Sequence, residues 1–147
     1  MTFILGKASL ENLNGVHPRL VRVVKRAILI SSVAFKVIEG VRTPERQRKL
    51  YAQGRTTPGK VVTWTLKSNH FVNPLTGFGH AVDLLPAPYD WQDLEPFNLM
   101  ALAMFRAATI ESVRIRWGAD WDQDGVPREK GESDSPHFEL AGDFSND

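Results

Sequence analysis

The sequence predicts one α+β domain, in which a small, mostly antiparallel sheet is flanked by helices. Helical and β-type patterns alternate irregularly along the chain, and the β-type segments cluster in its second half. A doubly wound parallel sheet would require a regular alternation instead. The 147 residues, of which 42% are hydrophobic and 24% charged, have the size and composition of one globular domain. We therefore expect residues 1–147 to form a single folded unit.

The helices are predicted by apolar periodicity and by residues typical of helix ends. Three segments have these features: 17–30, 43–54 and 91–112. Pro18 lies in the first turn of the first segment, and His17 before it is expected to be a capping or surface residue. Thr43 is a good N-cap for the second segment, which should close at Gly54. The third segment should begin near residues 93–94.

The strands are predicted by alternation and by β-branched residues. Five segments qualify: 34–40, 60–66, 80–86, 114–118 and 137–141. Pro86 should stop the third of these strands, which we expect to be central in the sheet because it is almost continuously apolar.

Charge and composition exclude several classes of function. A net charge of only +1 argues against a body built to bind nucleic acid. The absence of cysteine excludes disulfides, thiolate metal sites and a cysteine nucleophile.

Four basic residues nevertheless share the first helix: Arg19, Arg22, Lys25 and Arg26. We interpret them as a solvated helix face, and a weak attraction to an anionic polymer is the alternative.

The start of the chain resembles neither a signal peptide nor a membrane anchor. It has no basic n-region followed by a long apolar stretch, and no apolar run in the sequence reaches the length of a membrane span. We expect a soluble, monomeric protein of the cytoplasm.

Histidine and aspartate residues flank a loop rich in Gly, Pro and Asn within "SNHFVNPLTGFGHAVDLL" (68–85). Side chains alternate along a strand, so His80 and Asp83 should face opposite sides of the sheet. The loop 71–79 can instead bring His70 back to Asp83. On the last strand His137 and Glu139 should share one face.

Three of these side chains are candidate metal ligands: His70, Asp83 and His137. Two imidazoles and one carboxylate, with a fourth position open, form a common catalytic zinc arrangement. The alternative is that the histidines are surface or satisfied core residues. A carboxylate in an apolar strand favours the metal site, because an unpaired buried charge is costly.

Five blocks in order, from about Leu13 to Leu140, resemble a family of zinc peptidases. The blocks are "VHPRL", "EGVRTPERQRKL", "SNH…GFGHAVDL", "RWGADWD" and "SDSPHFEL". This family contains D,D-carboxypeptidases, dipeptidases and phage endolysins of the L-alanyl-D-glutamate peptidase type, and its fold is the Hedgehog/D,D-peptidase-like one. The block "RWGADWD" is similar to the endolysin branch in particular.

The resemblance implies a role for each matching residue. It makes His70, Asp83 and His137 the ligands of Zn²⁺, makes Asp134 the general base, and makes Arg42 the residue that holds the substrate carbonyl or carboxylate near the metal. Residues expected to contact substrate or to support the site are Ser68, Gln47, Glu139 and His80.

Two details of this assignment stay open. Glu139 is the alternative base, and its other interpretation is a group that orients a ligand imidazole.

Twelve residues separate His70 from Asp83, a longer spacing than many members of the family have. Because the extra residues are turn-forming, we expect them to bulge outward without moving the ligands.

The resemblance implies a single-domain zinc endopeptidase that cuts the bond between L-alanine and D-glutamate in peptidoglycan stem peptides. Such an enzyme would lyse the host of a phage, would stay in the host cytoplasm until the membrane is permeabilised, and would have no separate wall-binding domain. One alternative is a D,D-carboxypeptidase or dipeptidase that acts on D-Ala termini. The other is a non-catalytic module that binds the cell wall or a protein.

Two further motifs lie outside these roles. Residues 120–125, "DWDQDG", match the first half of a calcium-binding EF-hand loop, but position twelve would be Gly131 rather than glutamate. We interpret the segment as a solvated loop, with calcium binding as the alternative.

We expect three tryptophans in the core or at its rim: Trp91, Trp117 and Trp121. The alternative is that they line a sugar- or peptide-binding groove.

Overall fold

The described part of the chain folds into helices that cover one four-stranded sheet. The computed structural model describes residues 2–61, 68–128 and 133–142. The elements in chain order are α1 (Lys7–Asn12), α2 (Pro18–Ile30), β1 (Phe35–Glu39), α3 (Pro44–Ala52), β2 (Ala81–Pro86), α4 (Glu95–Glu111), β3 (Ile115–Trp117) and β4 (His137–Leu140).

The sheet has the order β1-β2-β4-β3, and every neighbouring pair is antiparallel. The predicted α+β class is therefore confirmed, as is the central position of β2. Two register pairs bring polar side chains of neighbouring strands together. Asp83 of β2 lies opposite His137 of β4, and Arg116 of β3 lies opposite Glu139 of β4.

The core lies between the helices and one face of the sheet. Helix α2 packs on α4, and α4 contacts β2 and β3. The sheet residues buried in this core alternate along their strands: Val82, Leu84, Phe138 and Leu140. Alternation therefore directs Asp83, His137 and Glu139 to the opposite face of the sheet.

The helix boundaries follow the predicted capping signals. The Nδ1 atom of His17 accepts a hydrogen bond from the amide of Arg19 at 3.1 Å, which confirms His17 as the N-cap of α2. Thr43 Oγ1 accepts from the amide of Arg46 at 3.1 Å at the start of α3. Helix α3 ends at Ala52, two residues before the predicted Gly54, and α4 begins at Glu95.

The remaining predictions for the elements had mixed outcomes. Helix α1 was not predicted, and of the predicted strand 60–66 all but the first two residues lie outside the described ranges. Residues 60–61 are not in a strand. None of the described helices is long and apolar enough to cross a bilayer.

The basic face of α2 is partly tied to α4. Arg26 Nη2 lies 3.0 Å from Glu111 Oε2, and Arg22 Nε lies 3.5 Å from Glu111 Oε1. Both arginine side chains remain about half exposed, as expected for a solvated helix face. Ion pairs of this exposure contribute about 0–1 kcal/mol each.

Candidate metal centre and its cavity

Three side chains that are distant in the sequence meet on the open face of the sheet. One ligand atom each from His70, Asp83 and His137 lies within 4.8 Å of the other two. Asp83 Oδ1 is the centre of the group, 3.2 Å from His70 Nε2 and 3.1 Å from His137 Nδ1. The cross-strand pair of β2 and β4 supplies Asp83 and His137, and the turn 68–70 supplies His70.

His70 is held in one orientation by its own neighbourhood. The side chain is 1% exposed, and Nδ1 lies 2.7 Å from the carbonyl oxygen of Gly40, to which it can only donate. The Nε2 atom then carries a lone pair toward Asp83, and it has no hydrogen-bond partner among the described residues. Ser68 Oγ accepts from the His70 amide at 3.0 Å and so shapes the turn.

His137 is oriented by the second buried carboxylate of the site. Its Nε2 lies 2.9 Å from Glu139 Oε1, so that nitrogen donates to Glu139 and Nδ1 faces Asp83. The other oxygen of Glu139 accepts from Asn69 Nδ2 at 2.6 Å and from Arg116 Nη2 at 2.9 Å. Both oxygens of Glu139 are thus engaged, which favours an orienting function over a general base.

Hydrogen bonds outweigh burial in setting the charges of this group. Burial opposes the charge on Asp83, but the hydrogen bond and the positive charge of His137 hold the pKa of its carboxyl well below the usual range. Burial also disfavours protonated His137, yet hydrogen bonds to Asp83 and Glu139 raise its pKa to about 10. The pKa of Glu139 is lowered, because His137 and Arg116 outweigh the effect of its burial.

The donor set fits a divalent metal ion. Two imidazole nitrogens and a carboxylate oxygen converge, and each imidazole uses its other nitrogen to hydrogen-bond a carbonyl or a carboxylate. A cation at this position would satisfy the partnerless Nε2 of His70 and would replace the proton of His137. The group can therefore hold a metal ion.

Arg42 lies beside the group and is fixed by three acceptors. Its Nη1 donates to Gln47 Oε1 at 2.8 Å, its Nε to Glu39 Oε1 at 3.1 Å, and its Nη2 to Asp83 Oδ2 at 3.4 Å. Gln47, only 1% exposed, supports Arg42 as the sequence predicted. The contact with Glu39 was not predicted.

Asp134 lies at the edge of the group and is accessible to solvent. Its Oδ2 is 4.0 Å from His137 Nδ1, and its side chain is 51% exposed. The surrounding protein nevertheless removes enough water to raise the pKa of the Asp134 carboxyl, although the charge of His137 opposes that rise. A carboxylate with a raised pKa is a better proton acceptor.

The metal-ligand group opens into a cavity of about 1200 Å³. Aromatic residues form part of its wall, among them Phe71, Trp91 and Trp121. The ring centroid of Trp121 lies 5.3 Å from that of His137. Trp117 is buried in the core instead, where it stacks on Phe138 and donates from Nε1 to the carbonyl of Ser135 at 2.7 Å. The core interpretation thus holds for Trp117, whereas Trp91 and Trp121 line the cavity.

The loop 71–79 is closed at its base. The amide of His80 donates to the carbonyl of Asn69 at 2.8 Å, so the chain leaves and re-enters the site at one point. Within the loop, the amide of Asn73 donates to the carbonyl of Phe78 at 2.8 Å. The two ends of the loop are thus joined next to His70, while Leu75 within the loop is exposed.

His80 stands apart from the metal-ligand group. Its Nε2 lies 2.8 Å from Thr76 Oγ1, and its ring packs against that of His17 with centroids 5.4 Å apart. His80 precedes β2 and lines the same cavity as Asp83, so the predicted placement on opposite faces of one strand was wrong, although His80 is not part of the metal-ligand group. His80 contributes to the cavity wall and supports the loop.

The segment 120–125 brings three carboxylates together. One oxygen each from Asp120, Asp122 and Asp124 lies within 4.8 Å of the others. These side chains accept hydrogen bonds from backbone amides of the same loop, such as that of Gly125 to Asp120 Oδ2 at 3.0 Å. Calcium binding at this loop stays a hypothesis, because Gly131 lies outside the described ranges.

Three residues that contact the site were not predicted from the sequence: Glu39, Asn69 and Arg116. The signal for Arg116 was an unusual cation in a short apolar strand. Its partner Glu139 becomes apparent only when the register of β3 against β4 is known. Asn69 was missed because it lies between Ser68 and His70, the two motif residues to which the family resemblance assigns roles, and has no assigned role itself.

Comparisons with known proteins place the chain among peptidases of one family. The sequence model of a family described as phage L-alanyl-D-glutamate peptidase matches residues 1–141. The L-alanyl-D-glutamate peptidase of Escherichia phage T5 is 31% identical over 147 residues, which cover 96% of this chain and 100% of that relative. The crystal structure of the Serratia marcescens L-Ala D-Glu endopeptidase ChiX matches with a TM-score of 0.70 and 35% identity, covering 94% of this chain and 90% of that one.

Proposed function

The chain belongs to the phage L-alanyl-D-glutamate peptidase family and is a peptidoglycan-cleaving endolysin. We propose that it works with a zinc ion, and that the ligands of this ion are His70, Asp83 and His137. The substrate is the stem peptide of peptidoglycan, and the bond cut joins L-alanine to D-glutamate. The enzyme stays in the host cytoplasm until the membrane is permeabilised. Family membership alone supports this last part of the proposal.

One observation carries the zinc assignment. The atoms His70 Nε2, Asp83 Oδ1 and His137 Nδ1 converge, while the remaining imidazole nitrogens are committed to Gly40 and Glu139. Each ring therefore turns one nitrogen toward a common point, and the Nδ1 atom of His137 would give up its proton to a metal bound there. Imidazole and carboxylate ligands of this number are those of catalytic zinc sites.

A zinc ion in this position would supply a Lewis acid that makes hydroxide available near neutral pH and polarises the scissile carbonyl. The chain's own residues complete the site. Asp134 takes a proton from the attacking water on its carboxylate and delivers it to the leaving amine. Its partial exposure leaves room for that water, and its raised pKa suits the transfer.

Arg42 stabilises the developing negative charge on the substrate oxygen. Its Nε and Nη1 are committed to Glu39 and Gln47, so the guanidinium is held rigidly. The longer contact of Nη2, 3.4 Å from Asp83, leaves this donor available to a substrate oxygen. A preorganised donor of this kind contributes about 3–4 kcal/mol to the transition state.

The function is tested by digesting purified peptidoglycan and identifying the new amino termini. We expect wild-type protein with bound zinc to release amino-terminal D-glutamate. Asp134→Asn should retain zinc and lose at least about 100-fold in rate, the usual contribution of a general base. His137→Ala should lose both zinc and activity.

Asp90→Asn is the matched control, since Asp90 is exposed and outside the cavity wall. Its rate and zinc content should equal those of the wild type. Free D-alanine as the product, or full activity in either site variant, would contradict the assignment.

A further inference from the structure

The proposed substrate brings a negative charge close to the metal-ligand group. D-glutamate has two carboxyl groups, and its amine takes part in the scissile bond. One carboxyl continues the stem peptide, so the other is free, and it is ionised at neutral pH. Any site that cuts this bond therefore meets an additional carboxylate on the leaving-amine side.

The charges around the cavity are unevenly distributed between its elements. Three described carboxylates of the cavity wall, Asp83, Asp134 and Glu139, come from β2, β4 and the segment before β4, and a fourth, Glu39, ends β1 and lies between Arg42 and Arg46. The described cations of the cavity wall come from the segment that starts at the end of β1: Arg42, Arg46 and Lys60. Arg42 is held by Glu39 and Gln47, and its loosely engaged Nη2 is already assigned to the oxygen of the scissile carbonyl. The choice for an anion on the substrate therefore falls between Arg46 and Lys60.

Arg46 is positioned by its helix and by one weak ion pair. It lies in the first turn of α3, where its amide donates to Thr43 Oγ1. Its Nε lies 3.7 Å from Glu39 Oε1, beyond hydrogen-bond distance, and its side chain is 53% exposed. Glu39 Oε1 also accepts from Arg42, so the two guanidinium groups are neighbours across one carboxylate.

We propose that Arg46 binds the free carboxylate of the substrate's D-glutamate and thereby selects for this residue. The proposal rests on the proposed function. A guanidinium offers two parallel donors that match a carboxylate, whereas the ammonium of Lys60 is a point charge on a flexible stem. Arg46 also has a fixed starting position beside Arg42, which itself contacts Asp83.

The test compares two synthetic stem peptides that differ in one group. The first carries the free carboxylate of D-glutamate, and the second carries a carboxamide in its place. Arg46→Gln should lower kcat/KM for the carboxylate peptide about 10- to 100-fold, the range for one charge-assisted hydrogen bond. It should change kcat/KM for the carboxamide peptide less than about two-fold, since no charge remains to bind. Arg46→Lys should recover part of the lost rate.

Arg48→Gln is the matched control, because Arg48 is an exposed arginine of the same helix that lies outside the cavity wall. It should leave both rates unchanged. An equal loss on both peptides in Arg46→Gln would mean that Arg46 acts only through Glu39 and Arg42, and would overturn the proposal. A selective loss in Lys60→Gln but not in Arg46→Gln would also overturn it. Failure of wild-type protein to cut the carboxylate peptide would instead refute the proposed function.

Discussion

Glu139 shows how a single buried residue can determine the chemistry of its neighbours. It is 3% exposed, and its two oxygens accept from His137, Asn69 and Arg116. A carboxylate so placed stays ionised because its partners compensate the loss of water. The negative charge of Glu139 holds a proton on the Nε2 atom of His137. The Nδ1 atom is therefore the one that would bind a metal.

Replacing Glu139 by glutamine should weaken metal binding without unfolding the protein. Glutamine keeps the shape of the side chain, but it removes the charge and places an amide donor against either His137 or Arg116. We expect the dissociation constant for zinc to rise about 10- to 100-fold, as for other residues that orient metal-binding histidines. Competition with a chromogenic chelator measures this constant.

Glu11→Gln, a change at an exposed residue of α1, is the control and should leave the constant unchanged. If Glu139→Gln bound zinc as tightly as the wild type and lost only its rate, Glu139 would have to be reassigned as the general base.

The elements show which parts of the fold could be predicted from the sequence. Alternation along β4 correctly placed His137 and Glu139 away from the core and Phe138 within it, because a strand has a strict period of two. Helix α1 was missed because it is only six residues long and its N-cap is Gly6, which has no side chain to cap it. Pairing across strands, such as Arg116 with Glu139, depends on a register that no local pattern specifies.

A close approach of two backbone segments, directly after β3 and just before β4, depends on one glycine. Gly118 donates its amide to the carbonyl of His137 at 2.7 Å, and its carbonyl accepts from the amide of Asp134 at 3.2 Å. A side chain at residue 118 would collide with the backbone oxygen of Asp134. The sequence thus uses glycine where the backbone that carries a ligand and the proposed base must approach closely.

We expect Gly118→Ala to lower both stability and activity. Forcing a methyl group into this contact should reduce the free energy of unfolding by about 2–3 kcal/mol. The displaced Asp134 should also slow hydrolysis. Urea denaturation and the peptidoglycan digestion rate measure the two effects.

Gly6→Ala is the matched glycine control, since a methyl group there meets no atom within 4 Å. It should cost at most about 1 kcal/mol and leave the rate unchanged. Equal effects of the two substitutions would show that the close approach at Gly118 is unimportant.

The whole molecule is required to assemble the metal-ligand group. His70, Asp83 and His137 span most of the second half of the chain, and only folding brings their ligand atoms within 4.8 Å. The unfolded chain therefore lacks the site, so that metal binding by these three residues would be coupled to folding. The family resemblance singled out these three residues as metal ligands. Their spacing in the sequence alone was equally compatible with surface or core histidines.

Zinc should accordingly stabilise the folded protein against heat. At a free concentration one thousand times the dissociation constant, the gain is about 4 kcal/mol, which corresponds to a rise in Tm on the order of 10 °C for a chain of this size. Removal of zinc by a chelator should reverse the rise. Calorimetry of the metal-free and zinc-loaded protein measures it.

His137→Ala serves as the comparison, because it leaves only two of the three ligands. Its Tm should hardly respond to zinc. A rise equal to that of the wild type would place the stabilising ion elsewhere in the molecule.

The closed base of the loop 71–79 has a consequence for how this architecture can diversify. Because Asn69 and His80 are already joined, the segment between them can change length and composition while the ligands stay in place. The entropy of closing a longer loop grows only slowly with its length. Phe71 and Pro74 belong to the cavity wall, so such changes alter the surface presented to substrate. The part of the loop around the exposed Leu75 is therefore where we expect changes in length to be tolerated best.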